Sequence, residues 1–130
     1  MHNNVVVDLL GVAEAMLDGE LEYRKGNYDA AFLHLRSSVA LSDSLHYDEP
    51  WGWMQPTRHA LGALLLEQGR IKEAEAVYRS DLGLDGKLSR ACQHPDNLWS
   101  LHETTGAARI RHSLRPLLGG GRKISSKPRA

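Results

Sequence analysis

Apolar residues recur every three or four positions along most of this chain, which is the spacing of an amphipathic helix. The pattern predicts helical hairpins at about residues 5–43 and 56–82, and the start of a third unit at about residues 95–103. No stretch alternates apolar and polar residues with the period of a strand. The sequence therefore predicts an all-α fold of stacked antiparallel hairpins.

The apolar positions of the first two predicted helices define the faces that we expect to be buried. In the first helix the stripe comprises Val5, Val6, Leu9, Leu10, Ala13, Met16, Leu17, Glu20 and Leu21. In the second it comprises Tyr28, Ala31, Phe32, Leu35, Val39 and Leu41. These faces are expected to meet across a short turn.

The two predicted hairpins share one local pattern around their turns. Gly26 and Gly69 each end a helix, one polar residue follows, and an apolar residue opens the next helix. Three positions later comes Ala31 in the first hairpin and Ala74 in the second. Glycine allows the chain to reverse, and the small alanine allows the two helices to approach closely. Because one such hairpin cannot cover its own apolar face, we expect the two to stack.

This pattern resembles the tetratricopeptide repeat. The residues at that repeat's small, turn and aromatic positions are Gly19, Gly26, Ala31, Gly62, Gly69, Ala74 and Tyr78. Asp18 and Arg58 depart from the motif, which has Leu and Trp there, and the two turn glycines lie 43 positions apart, against a usual period of about 34. Residues 10–103 are similar to the C-terminal part of larger fungal and bacterial proteins of this family.

The resemblance implies a non-catalytic scaffold or adaptor that binds a peptide or a partner helix in a concave groove. The first helix of each hairpin would line that groove, together with an aromatic loop. The residues expected to contact the partner are Glu20, Tyr23, Trp51, Trp53, Arg58, Glu67 and Trp99.

The aromatic loop, residues 47–56, accounts for the long spacing between the repeats. Its aromatic side chains include Trp51 and Trp53, and such side chains often anchor interfaces. Two interpretations stay open: the loop recognises a partner, or it folds over the hairpins and plugs the groove. Arg58 is expected to stack on a tryptophan or to pair with Glu49.

Charge divides the chain at residue 103. Residues 1–103 hold all 16 acidic residues, whereas residues 104–130 hold seven of the 16 Lys and Arg and no acid. We predict a helical domain at 1–103 and a basic tail at 104–130 that is flexible beyond about Leu118. The tail suggests a nucleic-acid or acidic-partner binder as an alternative function, and an auxiliary role in a metabolic or biosynthetic pathway is a further alternative. Terminal repeats normally have a polar cap, so an uncapped C-terminal end would favour self-association.

Candidate chemistry is sparse in this sequence. The seven histidines are scattered without an HExxH pair, and the single cysteine has no CxxC partner. We interpret the neighbouring acidic residues as solvated surface side chains. The sequence contains no glycine-rich phosphate-binding motif. We therefore predict no catalytic residue, no metal, no cofactor and no enzyme activity. The absence of a secretory or membrane-spanning pattern favours a cytoplasmic protein.

Overall fold

The computed structural model describes residues 3–48 and 51–118. Within these residues it contains five α-helices and no strand, so the all-α prediction is confirmed. The helices are α1 (Val6–Arg24), α2 (Tyr28–Asp43), α3 (Thr57–Glu67), α4 (Ile71–Asp81) and α5 (Leu98–Leu118), and a short 3-10 helix spans Arg90–Cys92. In the described part of the chain, no helix is long and apolar enough to cross a bilayer.

Both hairpins reverse through the same backbone motif. Gly26 and Gly69 have φ of 83° and 69°, in the left-handed region that favours glycine. After Gly26, the amide of Asn27 donates to the carbonyl of Glu22 at 2.9 Å. After Gly69, the amide of Arg70 donates to the carbonyl of Leu65 at 2.8 Å. These bonds satisfy helix-terminal carbonyls, as in a Schellman cap.

A glycine on the first helix of each hairpin lies directly under a large side chain of the second. A Cβ built on Gly19 would lie 2.6 Å from Leu35 Cγ, and one built on Gly62 would lie 2.5 Å from Tyr78 Cζ. Ala31 and Ala74, the small residues of the second helices, are fully buried. The paired helices can therefore approach closely at equivalent places in the two hairpins.

The buried face of α1 differs from the predicted stripe. The helix buries Val12, Met16, Gly19 and Tyr23, whereas most of the predicted apolar positions are exposed. The prediction was wrong because α1 has apolar residues on two sides. The buried side contains Gly19, which has no side chain and is therefore not counted among the hydrophobic residues.

The second turn docks on the first hairpin through polar groups. Gln68 Nε2 donates to the hydroxyl of Tyr23 at 2.8 Å, and the guanidinium of Arg70 lies 4.6 Å from the centre of the Phe32 ring. These contacts lie beside the shared core, which comprises Tyr23, Ala31, Phe32, Leu35, Leu61, Leu65, Ala74 and Tyr78. The two hairpins therefore share one core.

The last helix, α5, packs against α4 and also contacts α3. It continues without a break from Leu98 to Leu118, so it crosses the boundary predicted at residue 103. Ala107, beyond that boundary, is fully buried. The change in charge at residue 103 therefore falls within a helix. The predicted flexible tail beyond Leu118 lies outside the described residues.

Candidate functional site

A groove of about 360 Å³ runs between α1 and α3, the first helices of the two hairpins. We call it the α1/α3 groove. Its lining is Met16, Glu20, Arg24, Gln55, Pro56, His59, Ala60, Ala63 and Leu64. The groove thus combines an apolar floor with one acidic and one cationic side chain, and its volume lies within the usual range for ligand-binding clefts.

The predicted contact residues on the helices occupy different environments. Glu20 is exposed and lines the α1/α3 groove. Glu67 and Trp99 are also exposed, but neither lines the groove. Tyr23 is buried between the hairpins, where its ring makes edge contacts with the rings of Tyr28 and Phe32. Tyr23 therefore belongs to the core.

Arg58 is also buried, and it forms a two-point ion pair. Its Nη1 and Nη2 donate to Asp43 Oδ1 and Oδ2 at 2.6 and 2.7 Å. This geometry matches the planar guanidinium to the planar carboxylate, and it links the end of α2 to the start of α3. The expected pairing of Arg58 with Glu49 falls partly outside the described residues, because Glu49 is not among them.

The aromatic loop covers a small cavity of about 70 Å³. Trp51 and Trp53 line this cavity together with Asp43, Arg58 and His94. Trp51 makes an edge contact with the His94 ring, with the ring centres 4.5 Å apart. The two tryptophans do not line the α1/α3 groove, whereas Gln55 and Pro56 of the same loop do.

The N-terminal segment holds the start of the aromatic loop. Asn4 is buried; its Nδ2 donates to the carbonyl of His46 at 2.8 Å, and its Oδ1 accepts from the His46 amide at 2.7 Å. Asn3 Nδ2 donates to the carbonyl of Tyr47 at 2.6 Å. These bonds place the loop beside α1, an arrangement that the sequence pattern does not reveal.

A cluster of four polar side chains lies where α3, α4 and α5 meet. Asp81, at the end of α4, is 1% exposed. Its Oδ1 lies 2.7 Å from His94 Nδ1, and its Oδ2 lies 3.3 Å from His59 Nε2 and accepts from Ser100 Oγ at 2.5 Å. We call these four residues the Asp81 cluster. They join three helices and the segment that precedes α5.

The hydrogen bonds of the cluster keep Asp81 ionised. Burial by itself raises the pKa of this carboxyl, but the hydrogen bonds from His59, His94 and Ser100 outweigh burial and lower the pKa well below its usual value. An ionised carboxylate accepts hydrogen bonds and donates none. The cluster is therefore a buried charge that three donors stabilise.

The Asp81 cluster contains a serine, a histidine and an aspartate, but it lacks the geometry of a catalytic triad. Ser100 Oγ and Asp81 Oδ2 both approach the same nitrogen, His59 Nε2, at 2.8 and 3.3 Å. Because Ser100 donates its only proton to Asp81, His59 Nε2 must carry a proton and cannot accept one from the serine. Ser100 is also fully buried. The arrangement therefore offers no nucleophile to a substrate.

The sequence contains one signal for this cluster. Asp81 lies on the same helical face as Ala74 and Tyr78, both of which are buried. A carboxylate on an apolar face requires buried partners. The partners themselves, His59 and Ser100, are 41 positions apart along the chain, and no local pattern connects them.

No family model, curated protein or solved structure matches this chain. Among the described residues, no group of three or more His, Cys, Asp and Glu side chains is arranged to hold a metal ion.

Proposed function

We propose that this chain is a non-catalytic protein–protein interaction module that binds a peptide or a partner helix in the α1/α3 groove. The observation that carries the proposal is the position of the groove, between the first helices of two equivalent hairpins. Stacked hairpins characteristically present such a surface to their partners. In this reading the hairpins form a short array of the tetratricopeptide type.

Equivalent contacts in the two hairpins support the repeat interpretation. Each has a left-handed glycine at its turn, and each has a glycine on its first helix packed under a large side chain of its second. The equivalent pairs are Gly19 with Leu35 and Gly62 with Tyr78. Repeated contacts of this kind give the two hairpins the same close approach of their helices, and units with equivalent contacts are the ones that stack in an array.

The lining of the groove favours a polypeptide of mixed composition. Ala60 and Leu64 offer apolar contact from α3, while Glu20 and Arg24 offer opposite charges from α1. Gln55 adds an amide, which can donate to and accept from a peptide backbone. Apolar contact supplies affinity, and the polar groups orient the ligand.

The Asp81 cluster supports the non-catalytic part of the proposal. Its only nucleophile-forming side chain, Ser100, is fully buried and donates its proton to a carboxylate. His59 lines the groove, and its Nε2 is within 2.8 Å of Ser100 Oγ. A ligand in the groove would therefore contact a histidine that is held in one orientation.

A matched pair of alanine substitutions tests the proposal. Ala63 is exposed in the α1/α3 groove, and Ala76 is exposed on α4, away from that groove. A displayed peptide library is selected against the full chain, and the affinity of the enriched peptides is measured by fluorescence anisotropy. We expect Ala63→Arg to weaken binding at least tenfold, because it fills the groove, and Ala76→Arg to change it less than twofold.

Three results would contradict the proposal. Selection could enrich no peptide above the background of an empty support. The enriched peptides could bind Ala63→Arg as tightly as the wild-type chain, or they could lose affinity equally for Ala76→Arg. Circular dichroism of both variants establishes that the helices remain, since both alanines are exposed on helices.

A further inference from the structure

His59 belongs both to the Asp81 cluster and to the α1/α3 groove, and its two ring nitrogens have different surroundings. Nε2 lies 2.8 Å from Ser100 Oγ and 3.3 Å from Asp81 Oδ2, inside the cluster. Nδ1 has no hydrogen-bond partner among the described residues, and it is not fully buried. The two nitrogens of an imidazole point in well-separated directions, so Nδ1 is directed away from the cluster. His59 lines the groove with this side of its ring.

The cluster fixes which ring nitrogen of His59 carries the proton. The ionised carboxylate of Asp81 only accepts hydrogen bonds, and Ser100 donates its single proton to that carboxylate. Neither group has a proton left for Nε2, so Nε2 carries its own. In a neutral imidazole the other nitrogen is then an acceptor. His59 therefore presents an acceptor atom, Nδ1, to the α1/α3 groove.

The first helices of the two hairpins lie side by side and run in the same direction. Gln68, which follows α3, donates to the hydroxyl of Tyr23 near the end of α1. The C-terminal ends of the two helices are therefore together. Met16 and His59 occupy equivalent positions, each three residues before the packed glycine of its own helix. Met16 is thus the α1 residue of the groove that lies at the level of His59.

The two charges on the α1 side of the groove lie at different distances along it from His59. Glu20 follows Met16 by about one helical turn, roughly 5.4 Å, and Arg24 follows Glu20 by another. Both side chains line the groove, and both residues are exposed. The negative charge is therefore the nearer of the two to His59. A ligand is expected to place a basic group at this end of the groove and an acidic group toward Arg24.

We propose that His59 determines the specificity of the α1/α3 groove, by accepting a hydrogen bond at Nδ1 from a lysine or arginine side chain of the bound polypeptide. This inference rests on the proposed peptide-binding function. Lysine and arginine side chains only donate hydrogen bonds, which matches an acceptor. The carboxylates of Glu20 in the groove and of Asp81 behind the ring both favour a cation here. Asp81 is a positioning residue, because it acts on the ligand only through the His59 ring.

The protonated nitrogen of His59 is tested without a ligand, by NMR of the ¹⁵N-labelled full chain at about pH 8, where free imidazole is neutral. We expect long-range ¹H–¹⁵N correlations to place the proton on Nε2. Ser100→Ala keeps the Asp81 carboxylate and should keep the proton there. Asp81→Asn introduces an amide that can itself donate to Nε2, so signals of the Nδ1-protonated form should appear. A wild-type proton on Nδ1, or protons on both nitrogens, would overturn the proposal, as would an unchanged spectrum in folded Asp81→Asn.

Two substitutions of His59 separate the roles of its nitrogens in binding. Glutamine is long enough to place an amide near the position of Nε2, so His59→Gln keeps a donor for Asp81 but removes the acceptor from the groove. Asparagine places its amide near Nδ1. For peptides enriched by selection on the full chain, we expect His59→Gln to weaken binding at least tenfold and His59→Asn less than threefold. His102→Gln, at an exposed histidine of α5, should change binding less than twofold, and circular dichroism checks that each variant is folded.

The peptide is varied in the same assay. Norleucine resembles lysine in its carbon chain but has no donor, and it replaces the basic residue that the enriched peptides share. We expect this change to weaken binding at least tenfold to the wild-type chain and less than threefold to His59→Gln. Enriched peptides without a shared basic residue, or equal losses for the two proteins, would overturn this inference and leave peptide binding established. A chain that enriches no peptide would overturn the proposed function and this inference with it.

Discussion

The two hairpins reverse in the same way but differ in what lies against their outer sides. The first has helices of 19 and 16 residues, and the outer face of α1 is an exposed apolar stripe. The second has helices of 11 residues each, and α5 covers it through the buried Asp81 cluster. The same glycine turn therefore occurs in a hairpin whose outer face is exposed and in a hairpin that another helix covers through polar contacts.

The difference is also visible in the residues that pack against the hairpin glycines. Leu35 covers Gly19, whereas Tyr78 covers Gly62. The Tyr78 ring makes an edge contact with the ring of His59, which belongs to the Asp81 cluster. The second hairpin thus couples its apolar core to its polar contact with α5.

Truncating the side chain over each glycine should give the largest effects. We expect Tyr78→Ala to lower the free energy of unfolding by about 3 to 5 kcal/mol, and Leu35→Ala by about 2 to 5 kcal/mol, because both side chains are buried against a helix that cannot move in to fill the space. Urea denaturation measures both. The exposed Leu33→Ala serves as a control with an expected change under about 0.5 kcal/mol, and equal losses for all three would contradict the described core.

Removing the buried charge should have a smaller effect that depends on pH. We expect Asp81→Asn to lower the free energy of unfolding by about 2 to 3 kcal/mol at neutral pH, because hydrogen bonds to a buried carboxylate are lost. The lowered pKa of Asp81 means that its contribution is present above about pH 4, the usual carboxyl value, and is lost as the pH falls toward the pKa in the folded state.

Denaturation of the wild-type chain and of Asp81→Asn between pH 5 and pH 2 measures this dependence. The difference in stability between them should shrink steadily as the pH falls below about 4. An Asp43→Asn variant controls for acids in general, since the side chain of Asp43 is less buried than that of Asp81 and pairs with Arg58. A difference that is constant with pH would show that Asp81 is not held ionised by its three donors.

The turn glycines should give the smallest and most equal effects. We expect Gly26→Ala and Gly69→Ala each to lower the free energy of unfolding by about 1 to 2 kcal/mol, because a Cβ disfavours the left-handed conformation. No atom lies within 4 Å of a Cβ built at either position, so the loss is conformational alone. Thermal denaturation should give matching shifts, and a loss confined to one variant would break the equivalence of the two turns.

The sequence was sufficient for the features that depend on local geometry. Gly26 and Gly69 are turn residues because glycine alone adopts a left-handed conformation without strain, and this preference can be read from a few neighbouring residues. The presence of the helices could likewise be predicted, because the spacing of apolar residues is also a local feature of the sequence. The extension of α5 to Leu118 was missed because charge and composition, which change at residue 103, do not determine where a helix ends.

Features that depend on distant contacts could not be predicted. The buried face of α1 is set by Leu35 of α2, which fits over Gly19, and a count of apolar residues favours the opposite side. The Asp43–Arg58 pair and the contact between Asn4 and His46 join residues 15 and 42 positions apart. Such pairs become evident only when the helices are placed in space.

The hydroxyl of Ser100 has a consequence for how α5 meets the rest of the protein. If the helix slid by one turn, about 5.4 Å, Ser100 would move out of reach, and the buried Asp81 would keep its negative charge with one donor fewer. An apolar contact between two leucine side chains tolerates such a shift, whereas a hydrogen bond from a hydroxyl to a carboxylate does not. Helix α5 is thereby restricted to a single register against α4.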